Sequence, residues 1–307
     1  MNGLPVRRAR SRSLAAVLLA SLVLAVAAAH AAPLEVAVSI LPQKYFVERV
    51  GGDAVRVEVM VKPGQSHETY EPTPQQVAAL SRSRAYFRIG SPFEELLLPR
   101  AVAANPALVV VDTRAGIGMR MVAPHDHDHA PGHGHGERKA ERSAGRVPDT
   151  HIWTSPRLVK LQAATIRDAL VALDPDRRDA FEAGFARFAA DLDGLDAEIR
   201  TLLAGKRGRA FMVFHPAWGY FADDYGLTQV AIEVEGKEPG PRTLARMIDR
   251  AKAEGVRVVF VQKQFGRTTA EAVARAVGGE VVVVDPLAED FLVGTHAMAT
   301  ALAGALP

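Results

Sequence analysis

Two sets of short valine-rich runs, separated by one long amphipathic stretch, constrain this chain more than any other feature. Val55, Val57, Val59 and Val61 alternate at period two, while VRVVFVQ (256–262) and EVVVVD (280–285) are almost unbroken apolar runs. Strands buried on both faces read this way, and their alternation with helical stretches implies parallel sheets covered by helices, an α/β fold. The first set predicts strands at Leu34–Ile40, Val55–Val61, Tyr86–Ile89 and Leu108–Val111, with helices near Gln43–Val50 and Pro74–Ser81 and after Ser91. The second predicts strands at Ala210–Phe214, Thr228–Ile232, Val256–Val261 and Val281–Val284, then a last helix near Phe291–Leu306. An echo links the sets: Gly51-Gly52-Asp53 and Gly278-Gly279-Glu280 each precede a valine-rich strand. Likewise Ser39-Ile40-Leu41-Pro42 and Val213-Phe214-His215-Pro216 each precede a Tyr-Phe pair.

Between the sets lie two helical stretches, Pro156–Leu173 and about Asp176–Ala204. In the second, Phe181, Phe185, Phe188, Leu192, Leu195, Ile199 and Leu202 recur at spacings of 4, 3, 4, 3, 4 and 3. That is one stripe on a helix roughly 45 Å long at about 1.5 Å per residue. Such a helix either dimerises as a coiled-coil strand or packs against both halves as a spine; its place between two α/β regions favours the spine. Residues 115–150 break the pattern. Their tract HDHDHAPGHGHGERKAERSAGR has few apolar residues and many charges, which predicts a mobile loop.

The first residues stand apart from the fold. Arg7, Arg8, Arg10 and Arg12 precede an apolar run, Leu14–Ala28, and small residues around Ala29-His30-Ala31 offer a cleavage site. This predicts a signal peptide over residues 1–31 and export. The 37 basic and 35 acidic residues give +2; without the four arginines the count is 33 against 35, or −2, so the charge does not point to nucleic acid. There is no cysteine, which excludes disulfides, thiolate metal sites and a lipid-modified cysteine. An exported chain without a lipid anchor is expected in a bacterial periplasm. No Walker-type phosphate loop occurs, so nucleotide hydrolysis is not expected of this chain.

Three histidines sit in distinctive surroundings: His67 in PGQSHETYEPTP, His151 in DTHIWTSP and His215 in FHPAWGYFADDYGL. His67 lies in the loop after one predicted strand, His215 directly follows another, and Asp285 directly follows a third. Ligands of open parallel sheets bind outside the carboxyl ends of the strands. Two halves facing each other can therefore bring His67 and His151 from one together with His215 and Asp285 from the other. Three imidazole nitrogens at about 2.0–2.1 Å and a carboxylate or water make a tetrahedral zinc shell. His125, His127, His129, His133 and His135 alternate with Asp and Gly and can also chelate a metal, at an ordering cost of about 1–2 kcal/mol per residue fixed.

These segments, with SILPQKYFVERVGGD, EGKEPGPRTL and VVVVDPLAEDF, occur in an order that resembles the metal-binding receptors of bacterial ABC transporters. The similarity is to the zinc and manganese branch called cluster 9, or the ZnuA-like family, and spans nearly the whole chain after the signal. It implies two Rossmann-like lobes with parallel sheets, residues 32–175 and 206–307, joined by one long rigid helix, 176–205. It also implies His67, His151 and His215 as ligands, with Asp285 at the position of the carboxylate ligand of manganese-type members. Ser66 and Thr150 depart from the residues usual before the first two ligands, and neither change removes an imidazole. Three imidazoles favour Zn2+ over Mn2+ or Fe2+ as cargo.

The expected partners are a membrane permease with its cytoplasmic ATPase, and the protein itself is expected to be a monomer. The loop histidines resemble those of zinc-specific members and are expected to form a low-affinity collector, sensor or chaperone-docking element. A zinc-dependent hydrolase is the alternative from another class. His67-Glu68 begins like H-E-x-x-H, but Glu71 stands at the second histidine position and Pro72 and Pro74 oppose a helix there. A periplasmic metal buffer or adhesin is a third reading.

Overall fold

The computed structural model describes residues 32–122, 146–233 and 239–306. The expected signal peptide and the five loop histidines lie outside the described residues.

The first half forms a four-stranded parallel sheet from β1 (Leu34–Val38), β2 (Val55–Val59), β3 (Ala85–Arg88) and β4 (Val109–Asp112), in the order β2-β1-β3-β4. Helices α1 (Leu41–Gly51), α2 (Pro74–Ala79) and α3 (Pro92–Ala104) connect its strands. The second half repeats the scheme. Strands β7 (Ala210–Val213), β8 (Thr228–Ala231), β9 (Val258–Gln262) and β10 (Glu280–Val284) are all parallel in the order β10-β9-β7-β8. Counted within its own half, each sheet runs second strand, first, third, fourth. The connecting helices there are α6 (Gly219–Tyr225), α7 (Pro241–Ala253) and α8 (Thr268–Val277).

Between the sheets in the chain come α4 (Pro156–Leu173) and α5 (Arg178–Leu202), and α9 (Phe291–Ala305) ends the fold. Helix α5 packs against α4 and α1 on one side and α9 on the other. Phe181, Phe188, Leu192, Leu195 and Ile199 of its stripe are buried within the chain itself, which is the spine arrangement. One apolar cluster runs from Val36 and Phe87 of the first sheet, through these residues, to Phe211 and Phe260 of the second. Burial at about 25 cal/mol per Å2 of apolar surface makes that shared core the main force holding the halves together.

The structure departs from the expectations at the edges of elements. Strand β1 stops at Val38, because Ser39 and Ile40 turn the chain into α1, and α5 begins only after a 3-10 turn at Pro175–Arg177. The stretch 115–150 was expected to be mobile throughout, yet its two feet are structured. Strand β5 (Met121–Val122) pairs antiparallel with β6 (Val147–Pro148), and the Asp149 amide donates to the Arg120 carbonyl at 2.8 Å. The ladder forms where apolar residues flank the polar tract.

Candidate metal centre

The loop after β2 carries His67. Its far end is tied down by Gln76, which closes a capping box with Thr73 at the start of α2, and Pro74 suits that first turn. The Gln76 Nε2 donates to the Met60 carbonyl at 2.8 Å and its Oε1 accepts from the Tyr70 hydroxyl, so the loop is held at both ends. His151 follows β6 at the start of a 3-10 turn, Ile152–Thr154. The Thr154 hydroxyl donates to the His151 carbonyl at 3.0 Å, and Ser155 caps α4 by accepting from the Leu158 amide at 3.1 Å. His215 stands just past the carboxyl end of β7, where the Gln262 side chain at the end of β9 accepts from its amide and donates to its carbonyl. This is the point in the second sheet where strand order reverses, the usual place for a ligand.

These three elements bring the imidazoles together. Ring centroids of His67 and His151 are 5.1 Å apart, as are those of His151 and His215. All three rings are buried, at 5 %, 3 % and 2 % exposure, so solvent does not compete for their nitrogens. Trp153 lies against His67 and His151, and Phe265 stacks on His215 at 5.0 Å. Ser66, Ala217, Gln264, Pro286 and Leu287 complete the lining of a small void against the three rings.

Two carboxylates set the ring orientation. The Asp149 Oδ1 lies 2.8 Å from His151 Nδ1, and the Glu233 Oε1 lies 2.7 Å from His215 Nδ1. A carboxylate only accepts, so each Nδ1 carries the proton and each Nε2 presents its lone pair. Those two Nε2 atoms face one another at 3.1 Å. Facing lone pairs at that distance require a positive charge between them, a proton or a metal cation. Burial opposes charging His151, but the hydrogen bond and charge of Asp149, with Glu68 and Glu233 farther out, raise its pKa above the ordinary 6.5. Burial likewise pushes Asp149 up, and its bonds to His151 and the nearby Arg120 charge outweigh this, holding it below 3.8. The Arg120 Nε is 3.6 Å from Asp149 Oδ2.

Asp285 is placed differently from the histidines. It does not line the void. One of its oxygens accepts from Gln264 Nε2 at 3.1 Å and from the Leu287 amide at 3.0 Å, and the other lies 3.3 Å from Lys263 Nζ. Its position after β10 makes it a turn-capping residue that supports the Gln264–Phe265 loop. A different carboxylate, Glu68, is at the cluster: its Oε1 is 3.4 Å from His215 Nε2. Ligand atoms of His67, Glu68 and His151 all lie within 4.8 Å of one another.

Sequence reasoning missed Asp149, Glu233 and Gln262. Asp149 carried a signal, since a carboxylate two residues before a histidine can turn back onto Nδ1. Glu233 lies 18 residues from His215 and Gln262 lies 47 away, and only strand pairing brings either near.

Similarity to known proteins bears on this site. The family model described as "ZnuA: Zinc-uptake complex component A periplasmic" matches residues 36–303. A crystal structure of ZnuA superposes with a TM-score of 0.80 at 42% sequence identity, covering 90% of this chain and 100% of that one. A ZnuA deletion mutant with zinc bound gives 0.79 at 42% identity, covering 89% and 98%. The high-affinity zinc uptake system protein ZnuA of Bacillus subtilis is 27% identical over 256 residues, 83% of this chain and 78% of that protein.

Proposed function

The chain belongs to the ZnuA family of zinc-uptake components, and from that premise we propose that it captures Zn2+ and hands it to an ABC transporter permease for import. Proteins of this family are substrate-binding receptors rather than enzymes. The permease and its cytoplasmic ATPase are the partners this reading requires. Zinc is cargo here: the protein's task is to bind the ion tightly, exclude water from it and let it go.

His67, His151 and His215 are the ligands in this reading, the first two offered by the lobe of residues 32–175 and the third by the lobe of residues 206–307. The observation that carries it is the pair of Nε2 atoms 3.1 Å apart, each backed through Nδ1 by a buried carboxylate. Two nitrogens bound to one tetrahedral zinc at about 2.0–2.1 Å lie about 3.3 Å apart, so little movement separates this arrangement from a loaded one. Neutral imidazoles suit zinc over the harder manganese ion.

The site of action is the bacterial periplasm, reached by an export signal over residues 1–31. Among the described residues no helix is long and apolar enough to cross a membrane. The receptor acts as a monomer, its long helix being occupied by its own two lobes. Metal analysis of the exported protein, beside His215→Ala, tests the reading. The parent protein should carry close to one tightly held zinc and the variant should lose it. Equal zinc retention by both in a chelator competition would defeat the assignment.

A further inference from the structure

We propose that Arg120 is a positioning residue for metal capture: it holds Asp149 against the His151 imidazole and ties that hold to Asp223 and Tyr220 of the opposite lobe. The inference rests on the zinc-receptor reading, in which His151 is a ligand, and adds to it a residue that never meets the ion.

The guanidinium sits between two carboxylates. Its Nε lies 3.6 Å from Asp149 Oδ2, and its Nη1 donates to Asp223 Oδ2 on α6. Arginine carries five donors in a planar fork, so one head can address two carboxylates at once. Gly219 at the start of α6 makes room for it, since a Cβ there would lie 2.7 Å from Arg120 Nε and 3.0 Å from its Cζ. The next residue, Tyr220, has its ring centroid 5.8 Å from the guanidinium carbon, within reach of a cation–π contact. Two successive residues of α6 thus form a seat for an arginine from the other lobe.

Backbone contacts fix the same three residues. The Arg120 amide donates to the Tyr220 hydroxyl at 2.9 Å, that hydroxyl donates to the Asp149 carbonyl at 2.8 Å, and the Asp149 amide donates to the Arg120 carbonyl at 2.8 Å. Asp149 is 4% exposed, and its Oδ1 accepts from both the amide and the Nδ1 of His151, at 3.0 and 2.8 Å. Arg120 faces the oxygen that His151 leaves over, so the carboxylate cannot rotate without giving up a contact at each end. Beyond His151 the chain runs onto the same region of the second lobe. The Thr154 hydroxyl donates to the Ala217 carbonyl at 3.2 Å, Ser155 donates to Asp224, and Arg157 Nε donates to Asp224 at 3.0 Å. The segment 149–157 is therefore gripped by the second lobe on both sides of the ligand it carries.

Capture and release follow from this grip. When the lobes part, Asp223 and Tyr220 leave Arg120, Asp149 loses its support, and His151 Nε2 is no longer aimed at the ion. Loss of lobe contact and loss of a ligand's orientation become one event.

Chelator competition for Zn2+ on the full-length protein tests this. Arg120→Met removes the fork at similar length, and Asp223→Asn removes only its anchor on the opposite lobe. Each should raise the zinc dissociation constant about three- to tenfold, less than the loss of a carboxylate that touches a ligand. A double-mutant cycle supplies the readout that a merely structural role would not move. In an Asp149→Asn background, Arg120→Met should change affinity less than about twofold, because the residue it acts through is gone. Circular dichroism of the metal-free proteins checks folding; should Arg120→Met not fold, Asp223→Asn, at a side chain 61% exposed, carries the same cycle. Parent-like affinity in the folded variants, or full additivity with Asp149→Asn, overturns the proposal when His215→Ala has lost its zinc. Zinc retained by His215→Ala would instead remove the receptor reading beneath it.

Discussion

Asp149 and Glu233 show how much a metal site depends on residues that never touch the metal. Each accepts from one imidazole Nδ1 and so leaves Nε2 as the donor atom. Glu233→Gln should therefore weaken zinc binding by about 10–100-fold while leaving the metal-free fold intact, read by chelator competition and circular dichroism. The Asp149–His151 pair sets a pH dependence. His151 is raised above 6.5, so its contribution to stability is present below that value and is lost as pH rises through its folded pKa. Asp149 is held below 3.8, so its contribution is present above that value and is lost as pH falls through its folded pKa. The metal-free protein should gain most from the pair between pH 3.8 and 6.5, and Asp149→Asn should lower its melting temperature most within that window. Zinc binding runs the opposite way, because the metal must displace a proton from Nε2. Affinity should begin to fall above pH 6.5 as acid is added, and a flat profile from neutral to mildly acidic pH would contradict an imidazole shell.

At the scale of elements, α5 is held by contact that no larger residue allows. Gly184 faces α1 so closely that a Cβ there would lie 2.2 Å from the Val50 carbonyl oxygen. Gly184→Ala should cost about 1–3 kcal/mol, measured by denaturant unfolding, because neither helix backbone can retreat without disturbing the core between them. The double glycines also acquire a physical reason. Gly52 and Gly278 end α1 and α8 with φ of 54° and 66°, and a Cβ on their neighbours Gly51 and Gly279 would strike Val55 and the Arg257 backbone. The echo between the halves thus marks two helix ends of the same kind but not of equivalent place, since α1 joins the first strand of its sheet to the second and α8 joins the third of its sheet to the fourth. Strands and helices were legible because period-two and period-3.6 patterns are local. Their ends were less so: β1 yields to α1 at Ser39, and the feet of the polar loop pair as β5 and β6 through contacts between residues far apart in the chain, Met121 with Pro148 and Val122 with Val147.

In the whole molecule, the spine and shared core hold two sheets with their carboxyl ends toward one site. Contacts between the halves reinforce it: the Trp153 indole donates to the Pro286 carbonyl at 2.8 Å, Lys44 pairs with Glu289 at 2.6 Å, and Arg120 pairs with Asp223. The Tyr220 hydroxyl donates to the Asp149 carbonyl at 2.8 Å and accepts from the Arg120 amide at 2.9 Å, joining both feet of the polar tract to α6. His125, His127, His129, His133 and His135 fall between those feet in the sequence, and we propose for them a weaker, collecting role. Deleting residues 125–135 should leave the tight site unchanged and lower total zinc stoichiometry by equilibrium dialysis. Loss of the tight site would show that the tract is part of it.

The order of apolar runs, the long helical stripe and the three histidine segments were decided by sequence alone, because each rests on neighbours within a few residues or on a strand end that pattern reveals. Tertiary structure decided which carboxylates serve the histidines. Asp285 follows a strand as a ligand might, yet it caps its own turn, while Glu233 and Glu68 approach His215 from elements remote in the chain. Distances between side chains on different strands follow from sheet order and register, and these are properties of the packed molecule.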